Sequence, residues 1–248
     1  MRLLGIVHTY NEEDCVLNAI KCLAGHDIHV FDHGSTDNTK AILAEADITY
    51  HYVDRDMVPF SAPGAPDLYD IICKFINESY PKYGWVTWID ADEILIPAKP
   101  FSTLAESIHH DIEAGIGVVR ADIHEYWITD ADDNTVDNYL DRVQFRGFKR
   151  ASIWGGINRG WLIQAMGQRI GRGRHRKDWR PWQLSRKRYV LKHYPIRSLE
   201  HGTRKIMTER NWEQGGNGKH YRSYKRHQCT NLIKDHTTLA HDPFKPNF

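Results

Sequence analysis

An α/β fold built on a mainly parallel central sheet flanked by helices is what this 248-residue sequence predicts. Three observations predict it. Strand-like and helix-like segments alternate at a short, even pace over residues 2–95, which calls for right-handed crossovers within one sheet. The runs RLLGIVH and GWVTWID are apolar enough to read as buried strands. Polar and acidic residues follow the strands, at the carboxyl rim where parallel sheets place their ligands.

Residues 2–8 (RLLGIVH) make the first strand, and Asn11 to Asp14 open a helix. Its apolar positions Val16, Leu17, Ile20 and Leu23 keep helical spacing, with Gly25 as a natural stop. IHVFDH is the second strand, followed by GSTD, where Thr36 or Asp37 caps the helix NTKAILAEA. ITYHYV is the third strand, LYDIICKFINESY a helix and GWVTWID the fourth strand. Thr103 and Glu106 offer a capping box for a helix ending near Gly115. Residues 116–128 and 142–154 read as further strands around the turn-rich TDADDNTVDN. Glycines and arginines dominate from 155 until RYVLKHY, SLEHGTRKIMTERNWEQ is helical, and GGNGK begins a basic tail. The expected division is a domain over residues 1–214 followed by a basic, partly helical extension ending in the tail 215–248. Within that domain, a first part over residues 1–100 and a second over residues 101–214 are expected to take different tasks.

Composition, 41% hydrophobic and 26% charged, belongs to a globular chain rather than a disordered one. No apolar run reaches membrane-spanning length, and MRLLGIVHTYNEE turns acidic too soon for a signal peptide, so a cytoplasmic protein is expected. Cys15, Cys22, Cys73 and Cys229 form no C-x-x-C pair and read as small core residues. Charge is divided: residues 1–140 carry 8 Lys and Arg against 25 Asp and Glu, a balance of −17, and residues 141–248 carry 25 against 7, a balance of +18. A solvated surface does not by itself produce segregation this strong.

Three polar strand ends, His8 to Glu12, Asp32 to Asp37 and Asp90 to Glu93, define a cleft on one rim. Within WVTWIDADEIL the acids Asp90 and Asp92 are two apart, so an extended segment projects both to one side with Ala91 leaving room. A hard divalent cation, Mn²⁺ or Mg²⁺, takes carboxylate oxygens, relieves the repulsion between the acids and bridges them to a diphosphate.

NEED at 11–14, DHGSTDNT at 32–39 and DADE at 90–93 resemble the three N-terminal signatures of family-two glycosyltransferases with the Rossmann-like GT-A fold. HYPIRS at 193–198, followed by Lys205, resembles the C-terminal signature of one bacterial and viral branch of that family. The match covers residues 3–100 and 188–210. It implies that Thr9, Asn11 and Glu12 line the nucleotide pocket and that Asp32 binds the base. Asp90 then approaches the ribose or the metal, Asp92 ligates the metal directly, and His193 is a late metal ligand. Arg197 and Lys205 would neutralise the leaving diphosphate. The chain departs from the family at His33, where many relatives have a second acid, and it shows no downstream acid pair to supply the base.

The implied activity is a metal-dependent, hexosyltransferase-type transfer of sugar from a nucleoside-diphosphate sugar to an acceptor hydroxyl, with inversion. Asp32 can accept from a base imino group, which favours a UDP-sugar (or a guanine nucleotide) over an adenine one. Asp178 in RHRKDWRPW and Glu125 in HEYW are the two candidates for the base. Two other classes compete. A nucleotidyltransferase or pyrophosphorylase usually begins with a glycine- and lysine-rich phosphate loop, which LLGIVHTYNEED lacks. A nucleic-acid-binding protein is suggested by residues 169–192, where cations interleave with Trp179, Trp182 and Tyr189. The same segment, with the tail from Lys219 to Lys234, suits an anionic acceptor: a nucleic acid, a phosphorylated lipid carrier at a membrane surface, or an acidic glycan.

Overall fold

The computed structural model describes residues 2–58, 67–119, 121–147, 163–165, 183–185, 189–209, 229 and 232–242. Two compact units share the chain. The first comprises Met1–Ile123 with Gly155–Leu191, and the second His124–Trp154 with Lys192–Phe248. The chain leaves the first unit, returns and leaves again, so this division crosses the sequence-based one instead of coinciding with it at 214.

The first unit is α/β. Its elements run β1 (Leu3–Thr9), α1 (Val16–Cys22), β2 (Asp27–Asp32), α2 (Thr39–Glu45), β3 (Tyr50–Tyr52), α3 (Leu68–Glu78), β4 (Trp85–Asp90), β5 (Glu93–Ile96), α4 (Leu104–Glu113) and β6 (Ile116–Val119). β7 (Ala121–Trp127) then leads into the second unit through α5 (Tyr139–Arg142) and β8 (Phe145–Arg146), and β9 (Ile163–Ala165) and β10 (Gln183–Leu184) belong to the first unit again. The central sheet has seven strands in the order β10-β6-β9-β4-β1-β2-β3. β1 lies between β2 and β4, parallel to both. All seven of its residues are buried, which is why its sequence is a nearly continuous apolar run. β9 is antiparallel to β4 and to β6, a reversal the sequence reading did not anticipate.

Local chemistry sets the helix limits. Asp67 caps α3 and forms a reciprocal capping box with Asp70, while Leu68, Ile72, Cys73 and Ile76 turn one face into the core. There they join Leu4, Ile6, Phe31, Val53, Val86 and Trp88. Each large aliphatic side chain so buried contributes about 1.5–3 kcal/mol. The expected Thr103–Glu106 capping box on α4 is present. α1 begins later than expected, at Val16, because Asn11 adopts a left-handed φ of 55° and diverts the chain first. α2 begins at Thr39, and Asp37 serves it from two residues upstream, its Oδ1 accepting from the Thr39 N–H at 2.9 Å. Gly25 does stop α1: its φ is +85°, and an added Cβ would lie 2.8 Å from Ala105 Cβ. All four cysteines are buried, as small core residues should be, and burial pushes the Cys22 thiol up to about 12.

In the second unit β12 (Ala240–His241), β8 and β7 pair antiparallel in that order, with β11 (Tyr189–His193) beside β7. The expected strand over 142–154 is observed only as β8, since residues 148–154 lie outside those described. α6 (Leu199–Arg204) runs into a π-helical turn, Lys205–Glu209. Gly202 of α6 is closely packed: a Cβ there would stand 2.7 Å from Ile196 Cγ2 and 2.9 Å from Leu232 Cδ1. Gly202→Ala is therefore expected to lose about 1–3 kcal/mol of stability through overpacking. That loss outweighs the gain of up to about 1 kcal/mol that alanine brings to a helix. A urea denaturation midpoint equal to or above the wild-type value would show that Ile196 and Leu232 yield freely.

Candidate functional site

The parallel register sets three strand ends side by side, with Thr9 opposite Asp32 and His8 opposite Asp90. The ladder continues one step past each strand: the His33 N–H donates to the Thr9 carbonyl at 2.9 Å, and the Ala91 N–H to the His8 carbonyl at 3.1 Å. Beyond this the loops separate and side chains take over.

The loops after β1 and β2 are fastened by side chain to backbone bonds. The Asn11 N–H donates to Ser35 Oγ at 2.9 Å, and Asn11 Oδ1 accepts from the Thr36 N–H at 2.7 Å. The Glu12 N–H donates to Thr39 Oγ1 at 3.0 Å and the Glu13 N–H to Asp37 Oδ2 at 3.2 Å. Glu13 Oε2 in turn accepts from the Asn38 N–H at 3.0 Å. The fixed spacing of Ser35, Thr36, Asp37 and Thr39 thus has a mechanical reason, because each meets a backbone or side-chain group of the first loop. Sequence reading grouped these residues as a strand end and missed the clasp. The run of short hydroxyl and acid side chains, which bond backbone groups readily, was the available signal.

Asp32 and Thr9 lie under the clasp. Asp32 is fully buried and accepts from the Ser35 N–H at 3.2–3.3 Å. Burial raises its carboxyl above the ordinary range, against a smaller lowering by the Ser35 hydrogen bonds and Lys40. Thr9 is buried too, and its Oγ1 has no hydrogen-bond partner among the described residues. Beside the rim, the Arg55 guanidinium lies 3.7 Å from the centre of the Tyr10 ring. His33 bonds the Val58 carbonyl at 2.6 Å. Burial lowers its pKa, so it is neutral near pH 7.

The third rim element corrects one expectation. Asp90 is the last residue of β4, and Ala91 and Asp92 form the turn into β5, so strand alternation does not relate the two acids. The two flank a turn instead, closed by the Asp90 N–H donating to Glu93 Oε2 at 2.9 Å. Asp92 and Glu93 are buried. His8 Nδ1 lies 3.2 Å from both Trp88 Nε1 and Asp90 Oδ1. An indole N–H can only donate, so His8 Nδ1 accepts from Trp88 and has no proton there to give Asp90.

The remaining expected site residues belong to the second unit or lie outside the described residues. Glu125 is buried in β7, and His193 ends β11 half-buried. Arg197 is fully buried, its guanidinium donating to the Tyr194 carbonyl at 3.2 Å and to His201 Nε2 at 3.0 Å. Lys205, also buried, donates to the Pro195 carbonyl at 3.2 Å. Both cations brace the 194–198 turn. Asp178, Trp179, Trp182, most of the basic 169–192 segment and most of the Lys219–Lys234 tail lie outside the described residues. Among the described residues, three potential metal-ligating atoms come within 4.8 Å of one another at Glu12–Asp14–Cys15 and at Asp130–Asp235–His236. The Asp90–Asp92 turn supplies its acids as a pair. No described helix is long and apolar enough to cross a membrane.

No family model matches the chain, and no curated protein matches it. Solved structures similar to it include glucosyl-3-phosphoglycerate synthase from Mycobacterium tuberculosis in complex with Mn²⁺, UDP and phosphoglyceric acid. That match is 18% identical over 49% of this chain and 43% of the other, with a TM-score of 0.35. S. aureus TarS, residues 1–349, is 18% identical over 59% of this chain and 41% of that one, with a TM-score of 0.38. A further mycobacterial protein is 17% identical over 50% and 41%, with a TM-score of 0.36. The chain therefore matches less than half the length of each of these solved chains.

Proposed function

We propose that the rim of β1, β2 and β4 binds a nucleoside-diphosphate sugar and that the protein transfers the sugar to an acceptor hydroxyl, as a metal-dependent, inverting glycosyltransferase. The observation that carries this reading is the convergence of three strand-end loops on one rim of a parallel sheet. Two of them are clasped together, and the third turns two acids, Asp90 and Asp92, into one tight bend. The residues fit a hard divalent cation: both donors are carboxylates, and Asp92 is desolvated. Asp92, with Asp90, would hold Mn²⁺ or Mg²⁺, which when bound neutralises charge on the departing diphosphate.

The chain's own residues have separable tasks. Asp32 accepts an imino N–H of the base, favouring uracil, and the buried Thr9 hydroxyl offers the nucleoside a further donor and acceptor. The clasp holds the pocket in shape before the donor arrives, so less ordering accompanies binding. Glu125 and Asp178 are the two carboxylates proposed to take the acceptor proton as that oxygen attacks the anomeric carbon. An anionic acceptor (nucleic acid, phosphorylated lipid carrier or acidic glycan) is the proposed use of the basic 169–192 segment.

A screen of nucleotide-sugar hydrolysis with and without Mn²⁺ or Mg²⁺ tests the proposal. Slow, metal-dependent release of a nucleoside diphosphate identifies the donor. Release of pyrophosphate, or no turnover of any donor, would instead point to nucleotidyl transfer or to a binding protein.

Asp32→Asn separates pocket from scaffold. The Asp32 carboxyl is raised in the folded state, so the native protein binds more protons than the unfolded chain between the two pKa values. Stability falls as pH rises through that window, and ionised Asp32 costs stability at neutral pH. Asparagine removes that cost, so the melting temperature at pH 7 is expected to rise. Nucleotide affinity should weaken by roughly 1–3 kcal/mol, the scale of a lost charge-assisted hydrogen bond. Calorimetry showing unchanged nucleotide affinity would remove Asp32 from the pocket.

A further inference from the structure

Within the second unit, four side chains face a single carboxylate oxygen, and two of them hydrogen-bond to it. Asp242 Oδ2 accepts from Arg146 Nε at 2.7 Å and from the Tyr126 hydroxyl at 2.8 Å. Lys192 Nζ lies 3.8 Å from the same oxygen and donates to the Tyr126 hydroxyl. His124 Nδ1 lies 3.3 Å away, not aligned for a hydrogen bond. From these positions we infer that His124, Tyr126, Arg146 and Lys192 form a binding site for a phosphate group, which Asp242 occupies as a built-in stand-in.

Three features distinguish this from an ordinary ion pair. The first is crowding. Asp242 Oδ2 accepts from Arg146 and Tyr126 while Lys192 and His124 stand within 4 Å of it without hydrogen-bonding it, and a phosphate has further oxygens to offer them. The second is charge. Lys192 and Arg146 are two cations facing one carboxylate, and with Asp242 withdrawn they balance a phosphate dianion. Burial drives Lys192 down to about 8, which leaves it charged at pH 7, and burial together with neighbouring Arg146 lowers His124, leaving it a neutral donor. The third is placement. The donors stand on β7, β8 and β11, Lys192 with only 7% of its side chain exposed, and Tyr126 is stacked on buried Tyr194 at 4.5 Å. Asp242, its side chain 30% exposed, follows the two-residue strand β12, and its N–H donates to the Gln144 carbonyl at 2.8 Å. A partly buried donor set is thus closed by a residue just past the end of a short strand. The site stands whether or not the first unit binds a nucleotide sugar.

The test uses the full chain at pH 7 and constant ionic strength, with inorganic phosphate titrated against chloride in a calorimeter. Asp242→Ala is expected to bind one phosphate at least tenfold more tightly than wild type, and adding Arg146→Gln should erase that gain. Equal affinity of Asp242→Ala and wild type, or a gain that survives Arg146→Gln, would overturn the assignment. Should Asp242→Ala fail to fold, hydrogen exchange in the wild type decides. Saturating phosphate should displace Asp242 and speed exchange of its amide, and an unchanged rate counts against the site. A phosphate monoester, glycerol phosphate, distinguishes the sources. Tighter binding than inorganic phosphate assigns the site to a phosphorylated organic molecule, and equal binding assigns it to free phosphate.

Discussion

Asp92→Asn is expected to lower sugar transfer by about 10³-fold, roughly 4 kcal/mol of transition-state stabilisation, while the protein still folds. Asn and Asp have nearly the same shape, so the turn between β4 and β5 keeps its packing, and the bond that closes it belongs to Asp90 and Glu93. What disappears is a charged oxygen ligand at a buried position. A neutral amide oxygen binds a divalent cation far more weakly than a carboxylate does, and the departing diphosphate loses its counter-charge. Excess chelator on the wild type should produce the same collapse, and added Mn²⁺ should restore the wild type more completely than the variant. Undiminished transfer by Asp92→Asn, or full wild-type activity under chelation, would end the metal assignment. A variant that unfolds would appear as a lost cooperative melt, so turnover is compared only between samples with matching unfolding curves.

The segments of this chain legible from sequence are those where one local rule dominates. β1 and β4 are buried over nearly their whole length and therefore mainly apolar, and Thr103 with Glu106 is a capping box in sequence and in structure. Three rim segments were readable because strand ends in a parallel sheet must share an edge. Illegible features depend on partners far along the chain. Asn11 leaves the helical region because the Thr36 N–H, 25 residues on, needs its side-chain oxygen. β9 is three residues long in a stretch of weak periodicity, and its pairing comes from β4 and β6. The Asp90–Asp92 spacing suggested a strand because spacing of two fits a strand and a tight turn equally well. Charge segregation was visible as a number but not as a structure. Lys192, Arg197 and Lys205 are all buried, so some of the positive half is internal framework in the second unit.

Arg197→Met is expected to destabilise the second unit by about 3 kcal/mol, an effect on folding and not on donor binding. Resemblance assigned this arginine to the leaving diphosphate, yet the side chain is among the largest fully buried ones. One guanidinium nitrogen donates to the Tyr194 carbonyl, another to His201 Nε2, and the group lies 5.7 Å from the centre of the Tyr139 ring. Because a guanidinium only donates, His201 presents Nε2 to it as an acceptor. Methionine matches the arginine stem closely enough to limit cavity formation. It leaves the Tyr194 carbonyl and His201 Nε2 buried without these donors, at roughly 1–3 kcal/mol for each orphaned group. Arg197→Lys should recover only a fraction of the loss, since one ammonium on a flexible stem does not reproduce a planar fork reaching two acceptors. Urea denaturation followed by tryptophan fluorescence gives the stability, and nucleotide affinity measured on the folded protein gives the function. Wild-type stability with a large loss of donor affinity would return Arg197 to the diphosphate. The opposite pattern assigns it to the turn between β11 and α6.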